Sequence, residues 1–424
     1  MKRLSSEFGD MINGLGYKWL VVAVFFCFNG SAWGMTQSTH GVYFGPISEE
    51  LNLSSALMSA LFSIFLVFSF SAGAFWGWLA DKLPVRLVVF VTGYCLSLGL
   101  ILGSYAHSVT IFIFAYCFLG GFGMAGVFPS CAGTLMRWFS PGSQALALGI
   151  SSAGVGVATA VIPPFADRMI VQQDWHYAFF VLGIVMGLMT LVATVCIKQP
   201  SKALLIREGL TVYQPSRSGV PITNQLNQGK SFSIKLMLKD KKFWLLAGMS
   251  VSAMSLAQMC WVHLIPRAIN VGIESTTAAQ LMITLGSFSI LGKIGGGYFT
   301  DKFGPYPVYT GLLLMQCILL ITINTSDELW MYIVFSALFG MGYGGCIFLP
   351  TFASGKIFGM EYFSTIAGIL GVSYGIGCIL GPVIAGVLFD ISHSYDLSFV
   401  IAAAIGCVGI ILCVYLKKTV SISV

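Results

Sequence analysis

The sequence is poor in charge. Asp, Glu, Lys and Arg make up 9% of its 424 residues and hydrophobic residues 57%, where soluble domains carry roughly 25% charge. Too little polar surface is present to cover such a chain in water. That excludes the two or three soluble domains its length alone suggests. Cysteine is present in 11 copies, but paired spacing is missing. Cys27, Cys95, Cys117, Cys196, Cys260, Cys317 and Cys346 lie singly in apolar runs. Zinc ribbons and CxxC redox sites are thereby excluded, and the thiols read as small buried hydrophobes. The chain also lacks a nucleophile–base grouping, a metal-ligand cluster, a phosphate loop and a cofactor fingerprint, so the expectation is no enzyme, no cofactor and no metal. No cleavable leader is expected either. Lys2, Arg3, Glu7 and Asp10 precede an apolar run that continues past signal length without a small-residue cleavage site.

What the chain has is length in apolar runs. Crossing a ~30 Å hydrocarbon core takes about 20 apolar residues. Twelve stretches qualify, at 18–38, 54–79, 86–105, 109–138, 142–165, 175–197, 242–265, 277–300, 306–324, 329–357, 362–387 and 396–416. The one long polar stretch, 198–241, carries Lys198, Lys202, Arg207, Arg217, Lys230, Lys235, Lys239 and Lys241 with Pro200, Pro215 and Pro221. The expected organisation is an all-α membrane protein: an N-terminal six-helix half over 1–197, a cytosolic linker over 198–241 and a C-terminal six-helix half over 242–424. With the N-terminus in the cytosol, all but three of the 22 Lys and Arg fall at the termini or in cytosolic loops. Arg168 and Arg267 lie outside and Lys293 within a span. The outer loops carry Glu49, Glu50, Asp167, Asp174, Glu274, Asp327, Glu328, Asp390 and Asp396 instead. This positive-inside pattern places both termini in the cytosol. The net charge of +6 therefore reports topology and no nucleic-acid partner. The lipid bilayer of a plasma or inner membrane is the expected surrounding, and a monomer the expected state.

The halves repeat. Asp81-Lys82 matches Asp301-Lys302, and Gly77 matches Gly297, at one offset of 220 residues. Leu119-Gly120 and Ala147 match Phe339-Gly340 and Ala367 at the same offset, and Pro129 and Pro163 match Pro350 and Pro382 within one residue. Six helices per half start both halves on the same side. They are thus parallel repeats about an axis along the membrane normal, an arrangement secondary transporters use to rock two halves about a midplane site.

These residues resemble the major facilitator superfamily. Its helix 2–3 signature, G-x-x-x-D-[RK]-x-G-[RK]-[RK], reads here Gly77-Trp78-Leu79-Ala80-Asp81-Lys82-Leu83-Pro84-Val85-Arg86, with Pro84 for the usual Gly and Arg86 slightly late. The second copy, Gly297 to Gly304, keeps the Gly and has Tyr306 where a base would trail. An acid at a helix end beside a base can pair across halves, so Asp81, Lys82, Arg86, Asp301 and Lys302 are the expected conformational latch. Within the superfamily the chain is similar to the monocarboxylate porter branch and the related oxalate/formate antiporters. The likeness rests on Asn29-Gly30-Ser31-Ala32-Trp33-Gly34 in helix 1 and Gly120 to Gly123 and Arg137-Trp138-Phe139 around helix 4. It extends to Ala147 to Ile150 with Gly154-Val155-Gly156 in helix 5 and Val262 to Pro266 in helix 7. Departures are informative. Asn29 stands for the branch's acid, Ser38 about where some members have Lys, and Ser289 where proton-coupled animal members place an Asp.

Lys293 lies eight residues before Asp301, about 12 Å along a helix and close to mid-membrane. A charge there costs at least ~2.5 kcal/mol and should face a cavity or a partner. The resemblance implies that a cation at this place binds the substrate carboxylate. No Asp or Glu lies deep in any span. Either Lys293 exchanges a proton itself, which a buried amine allows, or transport is exchange or uniport. The oxalate-type second cation of helix 11 is missing from Gly371-Val372-Ser373-Tyr374-Gly375, which favours one carboxylate over two. In helix 1, Asn29, Trp33, Thr36/Gln37 and His40 form a polar stripe at helical spacing. The expected substrate contacts are Lys293, Asn29, Trp33, Gln37, Gln258, Tyr343 and Tyr374, with His40 and Lys293 as proton-relay candidates. The expected function is secondary transport of a small organic monocarboxylate by alternating access, coupled to protons or to anion exchange. An exporter of larger amphipathic compounds, such as a drug or metallophore, and a non-transporting membrane sensor are the competing readings.

Overall fold

The computed structural model describes residues 2–198, 234–325, 328–392 and 394–421, with side chains of 2–15 and 55–56 left undescribed. Residues 199–233, most of the expected linker, lie outside the described residues, as do Asp327 and His393. Among the described residues twelve helices are long and apolar enough to cross a membrane: α1 (Gly16–Ser38), α2 (Leu57–Lys82), α3 (Val85–Gly103), α4 (Val109–Trp138), α5 (Gln144–Gln172), α6 (Trp175–Cys196), α7 (Lys241–Asn270), α8 (Ser275–Phe303), α9 (Pro305–Thr325), α10 (Leu329–Phe358), α11 (Phe363–Ser392) and α12 (Asp396–Ser421). Two shorter helices, His40–Glu50 and Ile234–Lys239, follow α1 and precede α7. Several spans run past prolines that would end a helix in water. Pro163 and Pro164 sit inside α5, Pro266 inside α7 and Pro382 inside α11. In hydrocarbon no solvent competes for the backbone, so helices tolerate Pro when neighbours can satisfy the freed groups.

The repeat seen in the sequence reappears in the packing. In the first half α1 lies on α5, α3 on α6 and α2 on α4. Six helices later α7 lies on α11, α9 on α12 and α8 on α10. The halves meet along two equivalent contacts, α2 against α11 and α5 against α8. Glycine permits both. A Cβ on Gly77 of α2 would sit 2.1 Å from the Ser364 carbonyl oxygen of α11, and one on Gly297 of α8 would sit 2.5 Å from the Ala145 carbonyl oxygen of α5. The turn after α8 also explains how the two signature copies differ. Gly304 has φ +85°, a conformation open to Gly. Pro84 has φ −56° and precedes the first turn of α3, where a fixed φ fits.

Candidate functional site

The signature is a docking device. In a helix, residues four apart share a face, so Gly77 and Asp81, and likewise Gly297 and Asp301, point the same way. The glycine lets each helix close on the opposite half, and the acid then reaches the first turn of the helix it meets. Asp81 accepts the backbone N–H of Ser364 at 3.2 Å, that of Thr365 at 2.8 Å and the Thr365 hydroxyl at 2.7 Å. Asp301 accepts the N–H of Ala145 at 3.1 Å and of Leu146 at 2.8 Å. Both acids thus cap the second and third residues of a helix in the other half, where free N–H groups and the positive end of the dipole favour a carboxylate. Ser143 does not cap α5 with its own side chain, so that cap comes from across the interface.

The bases beside these acids play a different part from the one the motif suggests. Lys82 lies 4.2 Å over the Trp78 ring of its own helix, and Lys302 lies 5.3 Å over Phe303. Arg86 donates to the Ile197 and Val195 carbonyls at the end of α6. Neighbouring residues on a helix point about 100° apart, so a base following the acid cannot share its partner. The base that Asp81 does bind is Arg137 of α4, at 2.6 Å within its own half. The Lys356 charge of α10 acts on Asp301 in the equivalent place. Arg137 and Lys356 lie 219 residues apart, so the repeat offset was the signal that could have found this pair.

A cavity of about 140 Å³ lies between the halves, lined from the first by Trp33, Gln37, Ser69, Phe70, Phe128 and Ser152, among others, and from the second by Gln258, Lys293, Tyr343, Phe348, Tyr374 and Cys378. Six of the seven expected substrate contacts therefore meet here, and the aromatic wall of Phe70, Phe128 and Phe348 is new. Those phenylalanines carried no sequence signal, since an apolar residue in an apolar span gives no hint of what it faces. Lys293 is 4% exposed. Among the described residues it has neither hydrogen-bond nor carboxylate partner. Its position is fixed by backbone packing. A Cβ on Gly149 of α5 would fall 2.2 Å from the Lys293 carbonyl oxygen, and one on Gly344 of α10 would fall 3.1 Å from its amide nitrogen. The Gln37 side-chain nitrogen is buried without a partner as well. Two N–H groups with unmet hydrogen-bonding capacity thus belong to one largely apolar cavity. Gln258 makes only a long contact to Cys378 Sγ, 3.5 Å, and Tyr343 packs on Trp261 with ring centroids 5.3 Å apart.

The polar stripe of helix 1 is broken up. Asn29 is buried and donates to Cys131 Sγ of α4 at 3.2 Å, away from the cavity. Thr36 returns its hydroxyl to the Ala32 carbonyl of its own helix. His40 stacks on Phe62 at 3.8 Å and lines a separate small pocket with Tyr43, Ile47 and Met58. Between Trp33 and His40 the helix passes through a π-helical stretch, Gly34–Ser38, whose wider turn rotates the face that follows, so α-helical spacing does not carry the stripe on to His40; Asn29 precedes that stretch and meets Cys131 instead. His40 is outside the spans, and desolvation by burial lowers its pKa to about 4, so its ring is neutral at physiological pH and remote from Lys293's cavity.

The family model described as Major Facilitator Superfamily matches residues 19–295 and 264–422. The chain is similar to Monocarboxylate transporter 12-B of Danio rerio, 26% identical over 340 residues covering 76% of this chain and 70% of that protein. It is also similar to Monocarboxylate transporter 7 of Homo sapiens, 24% identical over 92% of this chain and 84% of the relative. In solved structures the fold matches the E. coli fucose:proton symporter with a TM-score of 0.71, at 14% identity over 94% of this chain and 99% of the other.

Proposed function

The chain belongs to the major facilitator superfamily, and on that premise we propose that this transporter moves a small organic monocarboxylate with an apolar body by alternating access. The observation that carries the reading is Lys293: a buried ammonium with no carboxylate partner among the described residues, opening on a largely apolar cavity with aromatic rings in its wall. A substrate carboxylate supplies the missing charge and also accepts from the Gln37 amide, while its apolar portion lies against Phe70, Phe128 and Phe348. The cavity, about 140 Å³, is close to the ~150 Å³ of an engineered protein cavity that takes up benzene. That scale suits one carboxylate on a short or ring-sized body, and it argues against a drug or metallophore. The names of the similar proteins, monocarboxylate transporters, point the same way.

In this reading the substrate neutralises the cavity, and the loaded carrier reorients without a bare charge. The empty carrier must then lose the Lys293 proton, which gives proton symport, or load another anion, which gives exchange. Asp81 and Asp301 close the cytosolic side by capping α11 and α5, and opening that side breaks both caps together. The test is uptake into proteoliposomes of lactate, pyruvate and benzoate, with and without a pH gradient, for wild type and Lys293→Ala. Normal carboxylate uptake by the variant sinks the anion-site reading. Uptake that ignores the gradient but requires internal anion assigns exchange. Transport of a bulky neutral compound, insensitive to Lys293→Ala, establishes the exporter reading instead.

A further inference from the structure

At the end of the bundle opposite the termini, three side chains far apart in sequence converge: Glu50 at the end of the helix His40–Glu50, His107 in the α3–α4 turn and His176 in the first turn of α6. One ligand atom from each lies within 4.8 Å of the other two. We propose that Glu50, His107 and His176 form a binding site for a divalent transition-metal ion of the zinc class, with a fourth position left for water.

The donor set fits the ion. Two imidazoles and a carboxylate are borderline-to-hard ligands that zinc accepts in open, three-ligand sites. Surrounding contacts hold the set in ligating form. His176 Nδ1 donates to the Ser104 carbonyl oxygen at 2.5 Å, since a carbonyl only accepts. This leaves Nε2 as the outward nitrogen, and Nε2 lies 2.8 Å from Glu50 Oε1. Tetrahedral ligands at ~2.0–2.1 Å from a zinc-class ion lie about 3.3 Å apart, so Nε2 and the carboxylate oxygen need part by only about half an ångström to admit one, and His107 lies where the ion would gain a third ligand. The other Glu50 oxygen, Oε2, accepts the Trp175 indole N–H at 2.6 Å, and Trp175 stacks on the His176 ring at 3.8 Å. A ligating histidine anchored to a carbonyl and a ligating carboxylate held by a second donor are the usual outer support of metal sites. His107 is 5.3 Å from His176 ring to ring, and among the described residues its nitrogens have no hydrogen-bond partner. Glu50 also ends its helix, whose dipole favours a cation there. All three ligands belong to the first half, so the ion ties the helix following α1 to α6 and the α3–α4 turn without bridging the halves. A site assembled from three distant segments leaves no spacing to read, which is why the expectation from sequence was no metal.

The test uses the full-length purified protein, tag removed, dialysed to equilibrium against Zn²⁺ with Mg²⁺ and Ca²⁺ as controls. One Zn²⁺ per chain is expected, with His107→Ala weakening it at least ~100-fold, beyond the loss typical of outer-shell changes. His107→Ala should leave melting without metal nearly unchanged, because among the described residues His107 makes no hydrogen bond and only a loose ring contact with His176. His107→Gln covers the case in which the alanine variant does not fold. In wild type, Co²⁺ should give the visible bands of a four-coordinate N/O site. Absence of stoichiometric Zn²⁺ binding, or equal binding by wild type and both His107 variants, overturns the site and leaves a histidine–carboxylate ion pair.

Discussion

Gly149 gives the sharpest test of how Lys293 is held. A Cβ at Gly149 would lie 2.2 Å from the Lys293 carbonyl oxygen and 3.1 Å from its carbon. Both groups are backbone, so neither can swing aside, and ordinary contact requires α5 and α8 to part by more than about 1 Å. Overpacking of this kind costs roughly 1–3 kcal/mol. The cost falls only on the conformation in which α5 of one half touches α8 of the other. Gly149→Ala should therefore shift the balance toward the opposite conformation by roughly 5–150-fold. The assay is labelling of single cysteines on the two sides of the bundle, read with uptake rate. Expected are increased labelling on the side carrying Asp81 and Asp301 and slowed uptake. Gly286→Ala and Gly295→Ala are controls on α8 itself, since nothing lies within 4 Å of a Cβ at either. If Gly149→Ala melts earlier yet keeps the wild-type labelling ratio, the contact is ordinary packing and the reasoning fails.

Other outcomes follow from the same geometry. Lys293→Ala should lower carboxylate kcat/KM by roughly 30-fold or more, the loss expected for removing one member of a buried charge pair. It should also raise the melting temperature of the substrate-free protein, because an uncompensated buried charge is gone; a lower melting temperature would mark Lys293 as structural. Asp81→Asn and Asp301→Asn should each favour opening on their side, since hydrogen bonds to a charged acceptor contribute about 1.5–3 kcal/mol. Their effects should add, because the two caps share no residue; unchanged turnover in both removes the latch role. His40, neutral in the folded chain with a pKa of about 4, protonates near 6.5 when unfolded. The unfolded chain thus binds more protons between these values, and stability should fall as pH drops from 6.5 to 4 by up to about 1.4 kcal/mol per unit. His40→Phe should flatten that slope in pH-dependent melting, and an unaltered slope refutes the assignment.

Much of the fold was legible because membrane physics leaves few choices. Hydrocarbon demands long apolar helices, so the spans can be counted in the sequence, and a constant offset between Asp81 and Asp301 exposes the repeat. Lys293 was legible for the same reason, as a charge in hydrocarbon stands out. The other cavity residues were harder to read. Trp33 and Gln37 reach the cavity, while Asn29, one turn before Trp33 on the same α-helix, meets Cys131 of α4 instead, and residue spacing does not record which neighbour each one finds.

By itself, then, the sequence determined the twelve helices, the two halves and the one cation in the middle, since each follows from burial cost counted along a single helix. The tertiary structure alone decided what the signature acids hold. Asp81 and Asp301 bind amide groups of helices in the other half, and every helix start offers such groups whatever its side chains. It also decided which aromatic rings face Lys293 and that Glu50, His107 and His176 meet. Those are properties of where helices cross, and a crossing depends on how two backbones approach, at Gly77 and Gly149, long after the local pattern has been fixed.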